Sequence, residues 1–213
     1  MGLFPSQIVK DKTLNLGLNV GCGMGGTCLR EPYINVDNWK ERNYPSWKKK
    51  MDGGPPIFFM IADVEFLPFK SNRFDEVYAS HILEHFNWIH VKRVLKEWFR
   101  VLKVKGLIKI CVPCFEWAVQ VYTGEKQTGQ WDKSKGLLSK KNGKIQDRQG
   151  MIYRVVYGHD SREENDVGHK CVFDYELLEW LLKQTGFHSV RRGQIHSMPY
   201  PAIHEELVVV ANK

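Results

Sequence analysis

The sequence predicts an α/β protein on a doubly wound, mostly parallel seven-stranded sheet, with an insertion between the fifth strand and the last helix. Three observations predict it. Short apolar runs recur along the chain, and the first four are continuous: residues 16–20 (LGLNV), 33–36 (YINV), 57–61 (IFFMI) and 76–79 (EVYA). Runs of this kind suit strands buried on both faces of a parallel sheet. Stretches of helical period alternate with the later strands, as a doubly wound plan requires. A glycine-rich turn follows the first run, where a strand of such a sheet hands over to a ligand-facing loop.

The first four runs are strands one to four. Between residues 88 and 103 the period changes. Val91, Val94, Leu95, Trp98 and Leu102 fall on one helical face, and Lys92, Arg93, Lys96, Glu97 and Arg100 on the other. Gly106 stands where a helix stop belongs. Residues 107–112 (LIKICV) then form the fifth strand. Asp174 is a good N-cap and Gly186 a good C-terminal stop for a last helix, with Leu177, Leu178, Leu181 and Leu182 as its apolar face. Residues 189–191 and 207–211 complete the strands. The 113–173 stretch is too long for a plain connection, so it is expected to be a substrate-covering insertion within a single domain spanning 1–213.

The chain has 213 residues, 43% of them hydrophobic, enough for a full core. No apolar run reaches the ~20 residues that span a bilayer, and no signal peptide opens the sequence, so no membrane association is expected. Five cysteines (Cys22, Cys28, Cys111, Cys114 and Cys171) at irregular spacing point to reduced thiols and a cytoplasmic protein. Formal net charge is +7, and the excess sits in two polar stretches. Residues 40–52 hold five basic against two acidic side chains, and residues 124–150 seven against three. Such loops are either solvated surface or a platform for an anionic partner such as RNA.

Four strand ends carry the candidate chemistry. Asn19-Val20-Gly21-Cys22-Gly23 lets the backbone approach a ligand closely. Asp37, at the end of the second strand, suits the two ribose hydroxyls of a nucleoside, or else caps a turn. Asp63, in Ala62-Asp63-Val64 after the third strand, can accept from the exocyclic amine of adenine, or again cap a turn. The fourth strand runs into Phe74-Asp75-Glu76-Val77-Tyr78-Ala79-Ser80-His81-Ile82-Leu83-Glu84-His85.

Taken in order, these motifs resemble the class I S-adenosylmethionine-dependent methyltransferases, and most of all their type 11 group, whose fold is Rossmann-like. The resemblance continues through Val94–Lys103 to Gly106 and resumes at residues 173–187. It implies S-adenosyl-L-methionine as cofactor. Gly21, Cys22 and Gly23 would wrap its methionine end, Asp37 would hold the ribose, and Asp63 and Val64 would flank the adenine. Ser80 and His81 would line the sulfonium and acceptor side. Asn19 departs from the pattern, since many relatives carry an acid there. The interval from Gly23 to Asp37 is also short, leaving room for a crossover helix of one or two turns or for a loop.

Other chemistries compete at single positions. His81-Ile82-Leu83-Glu84-His85 matches an H-x-x-E-H zinc pattern, but it follows a buried strand instead of lying along a metal-site helix, so no metal is expected, and Glu84 and His85 are expected in the first turns of the next helix. Cys111 and Cys114 form a lone C-x-x-C, with Cys114 either a nucleophile after the fifth strand or a buried thiol. Trp117, Tyr122, Trp131 and Tyr153 offer an aromatic floor for a substrate or simply pack the insertion. His81, His159 and His169 are the candidate bases, the last two in a polar cluster with Asp160 and Asp166. The expected reaction is in-line methyl transfer to a hydroxyl of a small molecule or glycan. An RNA methyltransferase, a non-catalytic S-adenosylmethionine-binding module and a nicotinamide dehydrogenase are the alternatives.

Overall fold

The structure, a computed structural model, describes residues 15–23, 28–29, 31–38, 58–125, 152, 155–158, 168–194 and 206–213. His159, Asp160, Asp166, Trp131, Tyr153 and nearly all of both basic stretches lie outside the described residues.

Seven strands are present: β1 (Gly17–Val20), β2 (Tyr33–Asp37), β3 (Phe58–Ile61), β4 (Phe74–Ser80), β5 (Leu102–Pro113), β6 (His188–Arg192) and β7 (Glu206–Asn212). They form one sheet in the order β3-β2-β1-β4-β5-β7-β6. The first five pair in parallel, and β7 runs antiparallel to both β5 and β6. The chain winds outward from β1 through β2 to β3, then returns to β4 on the other side of β1. The strand order therefore reverses between β1 and β4, and in an open α/β sheet the crevice beyond the carboxyl ends at such a reversal is where ligands bind.

Helix α1 (Trp88–Val101) begins at the Asn87 cap, whose Oδ1 accepts from the His90 amide at 3.1 Å. It buries Val91, Val94, Leu95, Trp98 and Val101, four of them on the face read from the sequence. At roughly 1.5–3 kcal/mol for each large apolar side chain removed from water, this stripe is a major part of what holds the helix to the sheet. Trp98 also donates its Nε1–H to the Val64 carbonyl at 3.2 Å, tying α1 to the loop after β3. Helix α2 (Phe115–Thr123) follows β5. Helix α3 (Tyr175–Thr185) has the expected ends. Asp174 Oδ1 accepts from the Leu177 amide at 2.8 Å, and Gly186 takes a left-handed φ of 112°. Leu178, Leu181 and Leu182 are buried, and Leu177 packs at the edge of the core.

Three expectations need correction. The helix expected to reach Lys103 stops at Val101, and Gly106 is not its stop. β5 begins at Leu102, before residue 107, and carries Gly106 inside it. The chain's end is the cause: the Lys105 amide donates to the Lys213 carbonyl at 2.9 Å and the Lys213 amide to the Gly106 carbonyl at 3.0 Å. Glu84 and His85, expected in the first turns of the following α-helix, lie instead in a separate single 3-10 turn, Leu83–His85. Phe86, extended, breaks the chain between that turn and α1.

Candidate functional site at the strand carboxyl ends

The glycine turn is bent by two left-handed residues, Gly21 at φ 68° and Gly23 at φ 59°. Any L side chain is strained there. A Cβ on Gly21 would also fall about 2.5 Å from Ile82 Cγ1, so Ile82 packs directly on the turn. The Gly21 amide donates to the Val36 carbonyl at 2.8 Å, and the Gly23 amide donates to Asp37 Oδ2 at 2.8 Å. The Ala62 amide donates to the Asp37 carbonyl at 3.0 Å. The ends of β1, β2 and β3 and the segment after β4 therefore meet at one rim. Gly21, Gly23 and Asp37 are brought to it directly, and Asp63 and His81 adjoin it in sequence through Ala62 and Ile82.

A buried amide network supports this rim from below. Asn19 Nδ2 donates to Asn35 Oδ1 at 2.8 Å. Asn35 Nδ2 donates to the carbonyls of Leu29 and Phe58 at 2.7 and 2.9 Å, and the Leu29 amide donates to Asn35 Oδ1 at 2.8 Å. Asn19 thus pairs within the sheet, where an acid would have met an amide acceptor oxygen. Within the short interval between Gly23 and Asp37, these bonds hold Leu29 to Asn35.

Cys22 is fully buried under the turn. Its bond to the Cys28 side chain, with burial, pushes its thiol far above the usual range, so the sulfur stays protonated. Asp63 is exposed at the end of β3, and its Oδ1 caps a turn by accepting from the Glu65 amide at 2.9 Å. Val64 turns its side chain into the core. Ser80 is buried at the end of β4, in register with Cys111 of β5.

His81 follows Ser80 in a left-handed conformation, φ 52°, a cost that clusters at functional sites. Its side chain is 41% exposed, with Nε2 3.1 Å from Glu206 Oε1 and Nδ1 3.3 Å from Glu84 Oε1. Burial disfavours charge on this ring, but Cys111, Glu206 and Glu84 together outweigh it and raise the pKa to about 12. His169 approaches the same Glu84 oxygen, its Nε2 3.9 Å away; its Nδ1 is 2.8 Å from the Val155 carbonyl and its side chain only 10% exposed. Burial lowers its pKa and keeps the ring neutral. Cys114 is a buried thiol whose Sγ caps α2 by accepting from the Trp117 amide at 3.4 Å. Trp117 is buried and Tyr122 half exposed on α2.

Glu206, Asn35 and Ile82 were not singled out from the sequence. Nothing local marks them. Glu206 meets His81 across 125 positions, and Asn35 sits inside an otherwise apolar run. Among the described residues no helix is long and apolar enough to cross a membrane.

Residues 18–110 match the family described as Methyltransferase domain, type 11. The chain is 28% identical over 177 residues, 81% of its length, to an uncharacterized protein of Methanocaldococcus jannaschii, and it spans 61% of that relative. The fold is similar to that of an S-adenosylmethionine-dependent methyltransferase of Methanosarcina mazei (TM-score 0.56, 17% identity, covering 100% of this chain and 99% of that one). It is also similar to one of Archaeoglobus fulgidus (TM-score 0.53, 16% identity, covering 95% and 87%). Residues 18–110, which hold the glycine turn bonded to Asp37 and the strand reversal beside it, thus match the methyltransferase domain, on the fold of the S-adenosylmethionine-dependent methyltransferases, whose cofactor is S-adenosyl-L-methionine.

Proposed function

We propose that the chain methylates a hydroxyl of a small molecule or glycan by direct in-line transfer. The cofactor, when bound, supplies a sulfonium methyl already activated for transfer. The protein's part is to bind, align and exclude water. Gly21 and Gly23 open the backbone to the methionine end, Asp37 receives the ribose hydroxyls, and Asp63 stands at the adenine end. The observation that carries this reading is the Gly23–Asp37 bond at 2.8 Å with Ile82 packed on Gly21, which sets the acceptor-side residues beside the cofactor turn.

His81 supports the acceptor role. Its ring is half exposed at the rim and braced between two carboxylates, so it is set to orient an acceptor hydroxyl. The insertion, from Pro113 onward, is proposed to cover that acceptor. The test is incubation of the purified chain with methyl-labelled S-adenosylmethionine and a fractionated cell extract. The expected label is in the small-molecule and glycan fraction. Label confined to RNA, or no label in any fraction, contradicts the proposal. His81→Asn is expected to lower kcat/KM about 100-fold while S-adenosylhomocysteine affinity stays within a factor of about three, because misplacing the acceptor costs rate and not cofactor binding.

A further inference from the structure

Behind the acceptor rim lies a polar cluster of which the methyl-transfer reading uses only the contact of Glu84 with His81. Glu84, in the 3-10 turn after β4, is 1% exposed. Neither of its carboxylate oxygens accepts a hydrogen bond from any described residue. Two imidazole nitrogens approach it, His81 Nδ1 at 3.3 Å and His169 Nε2 at 3.9 Å, both at Oε1. The His81 ring faces Oε1 alone, and Oε2 has neither a hydrogen bond nor an ion pair among the described residues, which is costly for a carboxylate this buried.

The two histidines at this carboxylate are arranged as donors to a metal. His169 Nδ1 faces the Val155 carbonyl at 2.8 Å. A carbonyl only accepts, so Nδ1 carries the proton and Nε2 presents its lone pair towards Glu84. That is the outer-sphere pattern of metal-ligating histidines, in which the far nitrogen donates to a backbone carbonyl and aims the near one. The His85 ring packs edge-on against His169 with centroids 5.1 Å apart. One ligand atom from each of Glu84, His85 and His169 lies within 4.8 Å of the other two. In a tetrahedral site with bonds of about 2.0–2.1 Å, donor atoms stand roughly 3.4 Å apart, so side-chain adjustments of about 1 Å close the site.

We propose that Glu84, His85 and His169 bind a divalent transition-metal ion of the zinc type. Two imidazoles and one carboxylate are a donor set that Zn²⁺ favours. The arrangement differs from the one H-x-x-E-H suggests. His81 and His85 do not share the ion, because His81 Nε2 is held by Glu206 at 3.1 Å. Instead Glu84 and His85 join a histidine from the far end of the insertion. The backbone brings them together independently: the amides of Lys170 and Cys171 donate to the Glu84 carbonyl at 2.8 and 3.1 Å. The ion clips the end of the insertion to the segment that carries His81, and clips closing a long loop are the more stabilising kind.

The test uses the whole chain, stripped with a chelator and dialysed. Zn²⁺ is titrated against a chromophoric competitor, and bound metal is measured by elemental analysis. The expected result is one Zn²⁺ per chain, with affinity at least tenfold weaker in His169→Gln and in His85→Gln. Cobalt(II) in its place is expected to show the intense visible absorption of a four-coordinate site, lost in both variants. Near-ultraviolet circular dichroism checks that the variants fold, and His85, only partly buried, is the second position should His169→Gln unfold. No stoichiometric Zn²⁺ on the wild-type chain overturns the proposal. So does Zn²⁺ that binds both folded variants as tightly as the wild type. S-adenosylhomocysteine binding is measured in parallel, so failure of the metal site and failure of the methyltransferase reading are read separately.

Discussion

Asp37 joins two strand ends, because its carboxylate accepts the Gly23 amide while its carbonyl accepts the Ala62 amide. A charge-assisted bond of this kind contributes about 1.5–3 kcal/mol, and the same carboxylate is placed for the ribose. Asp37→Asn is therefore expected to weaken S-adenosylhomocysteine binding about 10–100-fold by calorimetry, with a small change in thermal midpoint. An affinity unchanged within a factor of two would remove Asp37 from the cofactor site. Asp37 and the glycines were legible in the sequence because their place after an apolar run determines what they face. Asn35 and Glu206 were not, because their partners come from other strands. Glu84 is the instructive intermediate. The H-x-x-E-H pattern marked it, but only the fold shows that it is buried and that its neighbour is His169.

At the scale of elements, α1 was legible from its period, and its Asn87 cap and its end were not. Residues 102–106 join the sheet because they pair with Phe74 and with the end of β7. No local propensity records a partner so far along the chain. The helix also anchors the loop that follows Asp63. Glu97 Oε1 accepts from the Leu67 amide at 2.8 Å, and Arg100 bonds both Glu97 oxygens at 2.7 Å while donating to the carbonyls of Leu67 and Phe69. Arg100 holds the Glu97 carboxyl below its usual 4.5. The native state thus favours the charged form. The stability this contributes is present above about pH 4.5 and is lost as pH falls through the lower folded value. Glu97→Gln is expected to flatten the acid limb of stability in urea melts between pH 5 and 3, at a cost of about 1–3 kcal/mol at neutral pH. An acid limb identical to the wild type would show that this network does not hold the loop.

For the whole molecule, the doubly wound sheet was legible from the alternation of runs and helices, and the strand order was not; the reversal between β1 and β4 locates the crevice without any side chain being considered. The antiparallel β7 was less legible, since its five apolar residues read the same in either direction. The Gly23-to-Asp37 interval was legible as short, but its support was not, because the Asn19–Asn35 pair lies beneath it inside the sheet. The whole assignment depends on strand ends that meet at one rim. The most direct test is a crystal structure of the chain with S-adenosylhomocysteine. The account predicts the ribose hydroxyls on Asp37, the adenine beside Asp63, the homocysteine tail over Gly21–Gly23 and the sulfur facing His81. A ligand bound away from the glycine turn, or an adenosine that leaves Asp37 untouched, would contradict it.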